Sequence, residues 1–322
     1  MADRPGPGEI PAWLWGARLA PSAHNTQPWR FTPLHDGTIA VAWDAARALP
    51  AGDPSGRDLL LSLGAAVESA ILASGAAGLP LCWSPSPDDS PNPAYAARDG
   101  AVVGRLVPTP VPLEGHLVRL AGHIAGRRTS RLPHKPGPLP DGVASRLRDE
   151  ARAGGCDLLT VTHPGALRRL GRLAGAATAW GFADQAIHDE LCRWLRLDPR
   201  DPAYGRDGLT AACLDLRGPA RLAARILLRP GTMRVLVRLG LHHALSAGTG
   251  TLVHHATAMC LLTAALGTSR AGLVTAGRTL FRVWLEAAGA GLTTHPVSAL
   301  IDCPATIGPT LRLYGAPGME AV

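Results

Sequence analysis

Residues 62–79 read SLGAAVESAILASGAAGL, and residues 275–292 read TAGRTLFRVWLEAAGAGL. Both segments are apolar around most of the helical circumference, which is typical of buried helices. When the two are aligned, Gly64 falls opposite Gly277, and both segments end in a Gly-Leu pair. A match between two Gly-rich helices is, on its own, a weak indication of an internal duplication.

Helices and strands alternate in the elements predicted around these two segments. A hairpin is predicted over 29–43, turning at Asp36-Gly37, because an Asp-Gly pair between apolar runs is a strong turn signal. Each Gly-Leu pair is followed by an apolar stretch that contains proline, 80–85 and 293–300. We expect both stretches to be strands. The remaining predictions are helices over 11–20, 57–78, 116–126, 164–180, 183–195 and 273–289, an amphipathic segment over 142–153, strands over 101–107 and 156–162, and a loop over 198–219.

The composition fits a soluble globular protein. The chain has 322 residues, of which 46% are hydrophobic and 18% charged, which is enough for a large core. The net charge is +7, and Lys135 is the only lysine among 32 basic residues. Arginine suits phosphate and carboxylate groups, although a codon bias explains the same composition. Only 4% of residues are aromatic and no basic run alternates with stacking rings, so we expect no nucleic-acid partner.

Three further features bear on membranes, metals and compartment. No Asp, Glu, Lys or Arg occurs from 239 to 269, but this stretch holds four histidines and Gly248-Thr249-Gly250, which are costly in lipid. We therefore expect buried core and loop there, and no membrane partner. The six cysteines form no C-x-x-C pair, so no metal site is predicted. Since residues 1–11 lack a signal-peptide pattern, we expect a cytoplasmic protein.

The segment 20–31, APSAHNTQPWRF, concentrates hydrogen-bonding side chains in a rigid loop. Its two prolines restrict the backbone, and Ser22, Asn25 and Gln27 carry short donors and acceptors. Such a set fits the carbonyl and imide edge of a planar heterocycle. The residues alone leave open a well-satisfied turn without a ligand.

This pattern, APSxxNxQPWxF, resembles the signature of the FMN-dependent nitroreductase superfamily. In that family the loop crosses a dimer interface and touches the flavin of the partner subunit. The resemblance implies that Pro21, Ser22 and Asn25 contact FMN and that Gln27 shapes the loop. We call residues 21–27 the ring loop.

Residues 127–131, RRTSR, resemble the RRSxR start of ordinary nitroreductases, whose basic and hydroxyl groups hold the flavin phosphate. The resemblance implies a phosphate clamp formed by Arg127, Arg128, Thr129 and Arg131. Arginine forks suit a phosphate dianion, and a hydroxyl adds a donor. Without the family resemblance, a run of four polar residues in five fits a solvated basic loop better than a phosphate site.

A third match, GLTTHPVS at 291–298, resembles the family segment whose backbone lies along the flavin ring. We call it the ring segment, and Pro296, Val297 and Ser298 take the places next to the flavin. Many relatives carry an acidic residue and a glycine near the end of this segment. This chain has Ser298 and Ala299 instead, so we expect hydride access or substrate choice to differ.

The distribution of the matches resembles the Acg-like branch, in which two subunits are fused. The first half has a ring loop with no clamp before it, and the second has a clamp with no ring loop after it. The implied fold is α+β and nitroreductase-like, with helices around a central mixed sheet. Residues 1–115 and 116–322 would form two fused halves with a lid at 198–256. The halves would share one FMN site, in a monomer that contains its own pseudo-dimer interface.

The activity implied by the resemblance is that of an FMN-dependent oxidoreductase. NAD(P)H would reduce the flavin at N5, and a nitro, quinone or enone-like small molecule would reoxidise it in a ping-pong cycle. The sequence has no G-x-S-x-G, H-E-x-x-H, Walker A or G-x-G-x-x-G pattern, so no catalytic side chain is predicted. His24 and His295 lie where they could donate a hydrogen bond.

Two alternatives stay open at this point. One is an FMN-binding or storage protein with little or no turnover, in which a lid closes over the ring. The other is a scaffold that has lost FMN, because relatives usually continue past the position of Glu320 into a basic tail that adds phosphate contacts.

Overall fold

The structure, a computed structural model, describes residues 10–86, 101–132, 134–135, 137–264 and 269–316. It combines helices with antiparallel strands, in agreement with the predicted α+β class. The elements in chain order are α1 (Ala12–Arg18), β1 (Trp29–Pro33), β2 (Ile39–Trp43), α2 (Arg57–Ala76), β3 (Leu81–Pro85), β4 (Val102–Pro108), α3 (Gly115–Ala121), α4 (Val143–Ala153), β5 (Cys156–Val161), α5 (Pro164–Ala183), α6 (Gln185–Trp194), β6 (Leu195–Arg196), β7 (Leu209–Thr210), α7 (Gly218–Leu227), α8 (Pro230–Arg238), α9 (His242–His254), β8 (Met259–Ala264), α10 (Arg270–Gly289), α11 (Ala299–Asp302) and α12 (Pro304–Leu313).

The two Gly-rich helices, α2 and α10, pack directly on each other. A Cβ atom on Gly64 would overlap the carbonyl oxygen of Val274 and lie 2.9 Å from the Cα of Gly277. A Cβ atom on Gly277 would overlap the carbonyl oxygen of Leu61. Each glycine therefore faces the carbonyl three residues before the other glycine. Such a reciprocal contact is the pattern of a two-fold interface.

A buried ion pair fixes the same crossing. Glu68 of α2 is fully buried, and its carboxylate accepts a hydrogen bond from Arg278 Nε at 2.7 Å and another from Arg282 Nε. Burial alone would raise the pKa of Glu68, but the two arginines outweigh it and hold the pKa below its usual value. A buried carboxylate that loses such partners costs about 3–5 kcal/mol, so this pairing holds the two helices in one register.

The strands fall into separate ladders that pack on α2 and α10. β1, β2, β4 and β3 form an antiparallel sheet in that order, and its Val41 and Leu106 pack on α2 residues such as Leu63. β5 and β8 form an antiparallel ladder, in which Leu158 and its partner Leu262 pack on α10. β6 and β7 form a short parallel pair.

The prediction of one central mixed sheet is therefore wrong for the described residues. α2 and α10 occupy the centre, and each takes its own antiparallel ladder. The predicted hairpin at Asp36-Gly37 is confirmed, because β1 and β2 pair around Gly37 at φ 79°.

Two segments differ from their predictions. The stretch 293–300 is not a strand: it makes one bridge, from Thr294 to Thr129, and then enters α11. Pro296 supplies no N–H for a ladder, which limits pairing there. The stretch 239–269, predicted as buried core and loop, contains α9 and β8. α9 packs one face on α5 through close contact between Gly171 and Gly250, and much of its other face is exposed.

One helix in the described residues, α2, is long and apolar enough to cross a membrane. Of its most apolar window, 89% is buried inside the protein, as in the core helix of a soluble protein.

Candidate functional site

The ring loop has a strained backbone. His24, Asn25 and Gln27 have φ angles of 47°, 55° and 52°, and only one other non-glycine residue in the described parts, Asp215, has a positive φ. The backbone N–H of Gln27 donates to Ser22 Oγ at 2.9 Å, which closes the loop on itself. Strained residues of this kind cluster at ligand-binding sites, because the surrounding structure must hold them in place.

The amide side chains of the ring loop bind a segment from the predicted lid. Asn25 Nδ2 donates to the carbonyl of Gly208 at 3.2 Å, and the N–H of Gly208 donates back to the Asn25 carbonyl at 3.2 Å. Gln27 Nε2 donates to the carbonyl of Arg206 at 2.6 Å. Arg47 links the two segments, since its Nη1 donates to the Thr26 carbonyl and contacts Asp207. Residues 206–208 thus lie against the ring loop.

Arg127 of the phosphate clamp is a buried cation with unused donors. Its Nη2 donates to the carbonyl of Leu19 at 3.2 Å, directly before the ring loop, and its guanidinium lies 4.7 Å from the ring centroid of Trp284. Its Nε and Nη1 are buried and have no hydrogen-bond partner among the described residues. Burial and, to a smaller extent, Arg128 lower its pKa to about 10. A desolvated cation with free N–H groups is suited to an anion.

Arg131 brings the clamp close to both the ring loop and the ring segment. Burial lowers the pKa of His24 to about 4, with Asp58 acting against the shift and Arg131 adding to it. Burial also lowers the pKa of His295 to about 4, and Arg131 is the largest of the charges that add to it. One guanidinium therefore lies within electrostatic reach of an imidazole from each segment. Both imidazoles are neutral at physiological pH.

The other clamp residues take different places. Arg128 is exposed, and its Nη1 donates to the carbonyls of Ala125 at 2.5 Å and Arg127 at 2.8 Å, so its guanidinium is turned back toward the preceding turn. It lines an open cleft of about 220 Å³ at the C-terminal end of α10, beside Gly291. Thr129 forms the bridge to Thr294 in the ring segment. Arg128 thus bonds to neighbouring backbone, whereas Arg127 reaches the Leu19 carbonyl and the Trp284 ring.

The ring segment carries two more unpaired polar atoms. Thr294 Oγ1 and His295 Nδ1 are buried without a hydrogen-bond partner among the described residues. Pro296 follows them, Val297 packs on the core cluster around Leu170, and the Ser298 carbonyl accepts hydrogen bonds at the start of α11. Unpaired buried polar atoms are rare in native proteins, and here they belong to the residue that bridges to the clamp and to the residue after it.

A buried carboxylate cluster underlies both segments and was not predicted. Arg57 Nη2 contacts Asp58 Oδ1 at 2.8 Å and Asp302 Oδ1 at 2.6 Å. Burial first, and then Asp58, raise the pKa of Asp53 to about 7 and that of Asp302 to about 6. The signal was present in the sequence DPSGRD at 53–58, which leads into the predicted helix over 57–78. Through Asp58 the cluster reaches His24, and through Asp302 it reaches Ser298.

The donor set around the clamp fits a phosphate monoester. Arg127 offers two unpaired N–H groups, Arg131 a half-buried guanidinium and Thr294 a hydroxyl, all from segments that contact each other. Isolated buried cations are costly unless an anion accompanies them. In the described part of the chain, no group of three or more His, Cys, Asp or Glu side chains has the geometry of a metal site.

Comparisons with known proteins place this chain among nitroreductase-like proteins. No family model matches it. It is 29% identical over 318 residues, 94% of this chain and 87% of the relative, to a Mycobacterium tuberculosis protein named "Putative NAD(P)H nitroreductase acg". A Serratia protein named "Probable NAD(P)H nitroreductase PigM" is 26% identical over 94% of this chain and 84% of its own. A second M. tuberculosis protein, "Putative NAD(P)H nitroreductase Rv3131", is 29% identical over 54% of this chain and 47% of its own.

Proposed function

Because this chain is an Acg-like member of the nitroreductase superfamily, we propose that it is an FMN-dependent oxidoreductase with one flavin site. The observation that carries the proposal is that the clamp contacts both other segments: Thr129 bridges to Thr294 of the ring segment, and Arg127 Nη2 donates to the carbonyl of Leu19, just before the ring loop. The three segments that the family resemblance assigns to the phosphate and the ring are therefore neighbours, although 99 residues separate the ring loop from the clamp and 159 separate the clamp from the ring segment.

The site is composite in this proposal. Residues 1–115 provide the ring loop, and residues 116–322 provide the clamp and the ring segment. The reciprocal packing of Gly64 and Gly277 supports two related halves, since equivalent residues of a pseudo-dimer meet at its axis. A fused pair of this kind would be a monomer in solution.

Each group of residues has a separate task in binding. Arg127 and Arg131 would hold the phosphate with charge-assisted hydrogen bonds, and Thr129 would add its hydroxyl. Pro21, Ser22 and Asn25 would face the flavin ring from the first half. Pro296, Val297 and Ser298 would lie along it from the second half. Arg128 would be peripheral, since its guanidinium is exposed and bonded to the backbone of the preceding turn.

The chemistry of the reaction comes from the cofactor: FMN, when bound, supplies hydride transfer from NAD(P)H to a nitro, quinone or enone-like acceptor in a ping-pong cycle. The chain positions the reactants. His24 and His295 are neutral, so each offers one N–H donor and one acceptor nitrogen without adding positive charge. Residues 206–208, bonded to the ring loop, would limit the access of water.

This proposal is tested by reduction of the bound flavin. Purified protein, reconstituted with FMN and kept anaerobic, should lose its yellow absorbance on addition of NADH or NADPH, and an added quinone should restore it. Dithionite serves as the control for a reducible flavin. A flavin that dithionite bleaches but neither nicotinamide reduces would refute turnover.

A second function, FMN storage, is favoured by one observation. Asn25 and Gln27 hold residues 206–208 against the ring loop with three hydrogen bonds. If the whole segment 198–256 acts as a closed lid, the flavin would be sheltered from nicotinamide. Storage then predicts slow release of FMN together with no reduction by NAD(P)H.

A further inference from the structure

The helices α7, α8 and α9 carry an unusual share of exposed apolar side chains. Of eleven large apolar residues that are exposed in the described parts of the chain, six lie on these helices and their links. Scattered exposed leucines need no explanation, but a concentration of this kind marks an interaction site. The six residues are Leu222, Ile226, Val235, Leu239, Leu241 and Leu245, with exposed fractions from 36% for Leu245 to 65% for Leu239.

These side chains form rows on the outer faces of the helices. Leu222 and Ile226 are four residues apart on α7, and Val235 and Leu239 are four apart at the end of α8. Residues four apart share one helix face. The inner faces are filled by other residues, Met233 on α8 among them. The outer rows are therefore not needed to bury these helices against the protein.

Arginines run beside the apolar rows. Between residues 216 and 264 there are six arginines and no aspartate or glutamate. Arg217 and Arg225 pair with Asp215 and Asp198, which lie outside this stretch. The exposed Arg229, Arg234 and Arg238 form no salt bridge with any described residue, and Arg234 and Arg238 directly precede Val235 and Leu239 in the sequence.

We propose that the outer face of α7, α8 and the start of α9 docks on an anionic lipid surface. Exposed aliphatic rows beside unpaired basic residues are the features of helices that lie in the plane of a bilayer. At 10 and 9 residues, α7 and α8 are too short to span one. The inference replaces the expectation of no membrane partner, and it does not rest on the proposed function.

Charge and side-chain type favour lipid over other occupants. Nucleic acid would bind the arginines but gains nothing from the aliphatic rows, and the sequence lacks a pattern of stacking rings. A second copy of the chain docked through the same face would bring one basic face against another, and the repulsion between like charges disfavours such pairing. An anionic bilayer satisfies the arginines and the aliphatic side chains together.

Vesicle sedimentation with the full chain tests the inference. The protein should bind vesicles of phosphatidylcholine mixed with phosphatidylglycerol at least about tenfold more tightly than vesicles of phosphatidylcholine alone, because each basic residue near the surface adds attraction. Added salt should weaken the binding. Equal binding to both vesicles, or binding to neither, would overturn the inference.

Two double variants and a matched control locate the surface. V235Q/L239Q and R234Q/R238Q should each reduce vesicle binding at least about tenfold. L79Q/V111Q changes two side chains of similar exposure, 65% and 67%, outside these helices and should leave binding unchanged. Circular dichroism and the melting temperature verify that each variant is folded. An equal loss in the control would overturn the inference.

The other occupants are distinguished in the same series. A dimer of the wild type in sedimentation velocity that V235Q/L239Q abolishes, without vesicle binding, would show a second copy on this face. Tight binding of duplex DNA that R234Q/R238Q abolishes, again without vesicle binding, would show a nucleic-acid surface. Either result contradicts docking on lipid.

Discussion

Gly64 of α2 and Gly277 of α10 lie in direct contact at the crossing of the two helices. The two residues are also equivalent when the helices are aligned by sequence. Neither position has room for a Cβ atom, because the backbone of the opposite helix fills that space. A short sequence repeat thus corresponds to a reciprocal contact in the core.

Substitution of Gly64 by alanine should destabilise the protein. The new methyl group would overlap the Val274 carbonyl, and overpacking of a core costs about 1–3 kcal/mol. Denaturant unfolding measures the change. Gly248→Ala is the matched control, since a Cβ at that position in α9 meets no heavy atom within 4 Å, and helix propensity predicts a gain of up to about 1 kcal/mol. A G64A protein as stable as the wild type would show that the crossing is loose.

Substitution of Arg127 by glutamine should weaken FMN binding and leave riboflavin binding nearly unchanged. The reason is that Arg127 offers unpaired donors to the phosphate, which riboflavin lacks. Loss of a charged hydrogen bond of about 1.5–3 kcal/mol predicts a rise in the Kd for FMN of roughly ten- to a hundredfold. Quenching of flavin fluorescence during titration measures both affinities.

Arg128→Gln is the control for this experiment. Its guanidinium is exposed and bonded to the carbonyl of Arg127, so the Kd for FMN should change by at most about fivefold. If R127Q and R128Q weaken FMN binding equally, or if R127Q weakens riboflavin binding as much as FMN binding, the assignment of the phosphate to Arg127 is wrong.

Substitution of Gln27 by alanine should loosen residues 206–208. The side chain donates to the Arg206 carbonyl at 2.6 Å, and a hydrogen bond of about 1 kcal/mol predicts roughly fivefold faster hydrogen exchange at the Gly208 amide. Thr38→Ala is the control, because the Thr38 hydroxyl donates to Asp36 Oδ1 within the β1–β2 turn. Unchanged exchange at Gly208 in the Q27A protein would mean that this contact does not hold the segment.

Substitution of Asp53 by asparagine should reduce the loss of stability between pH 4 and pH 8. Burial and then Asp58 raise the pKa of Asp53 to about 7, above the unfolded value of about 3.9. The folded state therefore binds this proton more tightly, and stability present below about pH 4 is lost as the pH rises through 7. An amide carbonyl can still accept the N–H of Leu59, which now donates to the carboxylate.

Urea unfolding at a series of pH values measures this effect, with the exposed Asp141→Asn as the control. The D53N protein should show a flatter profile than the wild type and the control. A profile parallel to that of the wild type would show that Asp53 titrates normally in the folded protein.

Local signals in the sequence predicted much of the fold. The Asp36-Gly37 hairpin and the helices α2 and α10 depend on turn chemistry and apolar composition, which are visible within a few residues. The arrangement of strands was not predictable in this way. β5 pairs with β8 through residues 98 to 108 positions apart in the sequence, and such long-range pairing leaves no local signal.

The candidate site was likewise predictable from the sequence only in part. Family resemblance selected the ring loop, the clamp and the ring segment, and the structure places them near one another. The resemblance did not reveal that Arg128 bonds to the backbone of the preceding turn, since neighbouring arginines look alike in sequence. The link from Arg57 to Asp302 spans 245 residues. Side-chain contacts over such distances follow from the tertiary fold and leave no local signal.

The amount of flavin per chain is the most direct test of a single composite site. Protein saturated with FMN, freed of excess ligand and then denatured, should release one FMN per chain, and sedimentation of the saturated protein should give a monomer. Release of two flavins per chain, one flavin shared by a dimer, or no flavin after reconstitution would contradict the account.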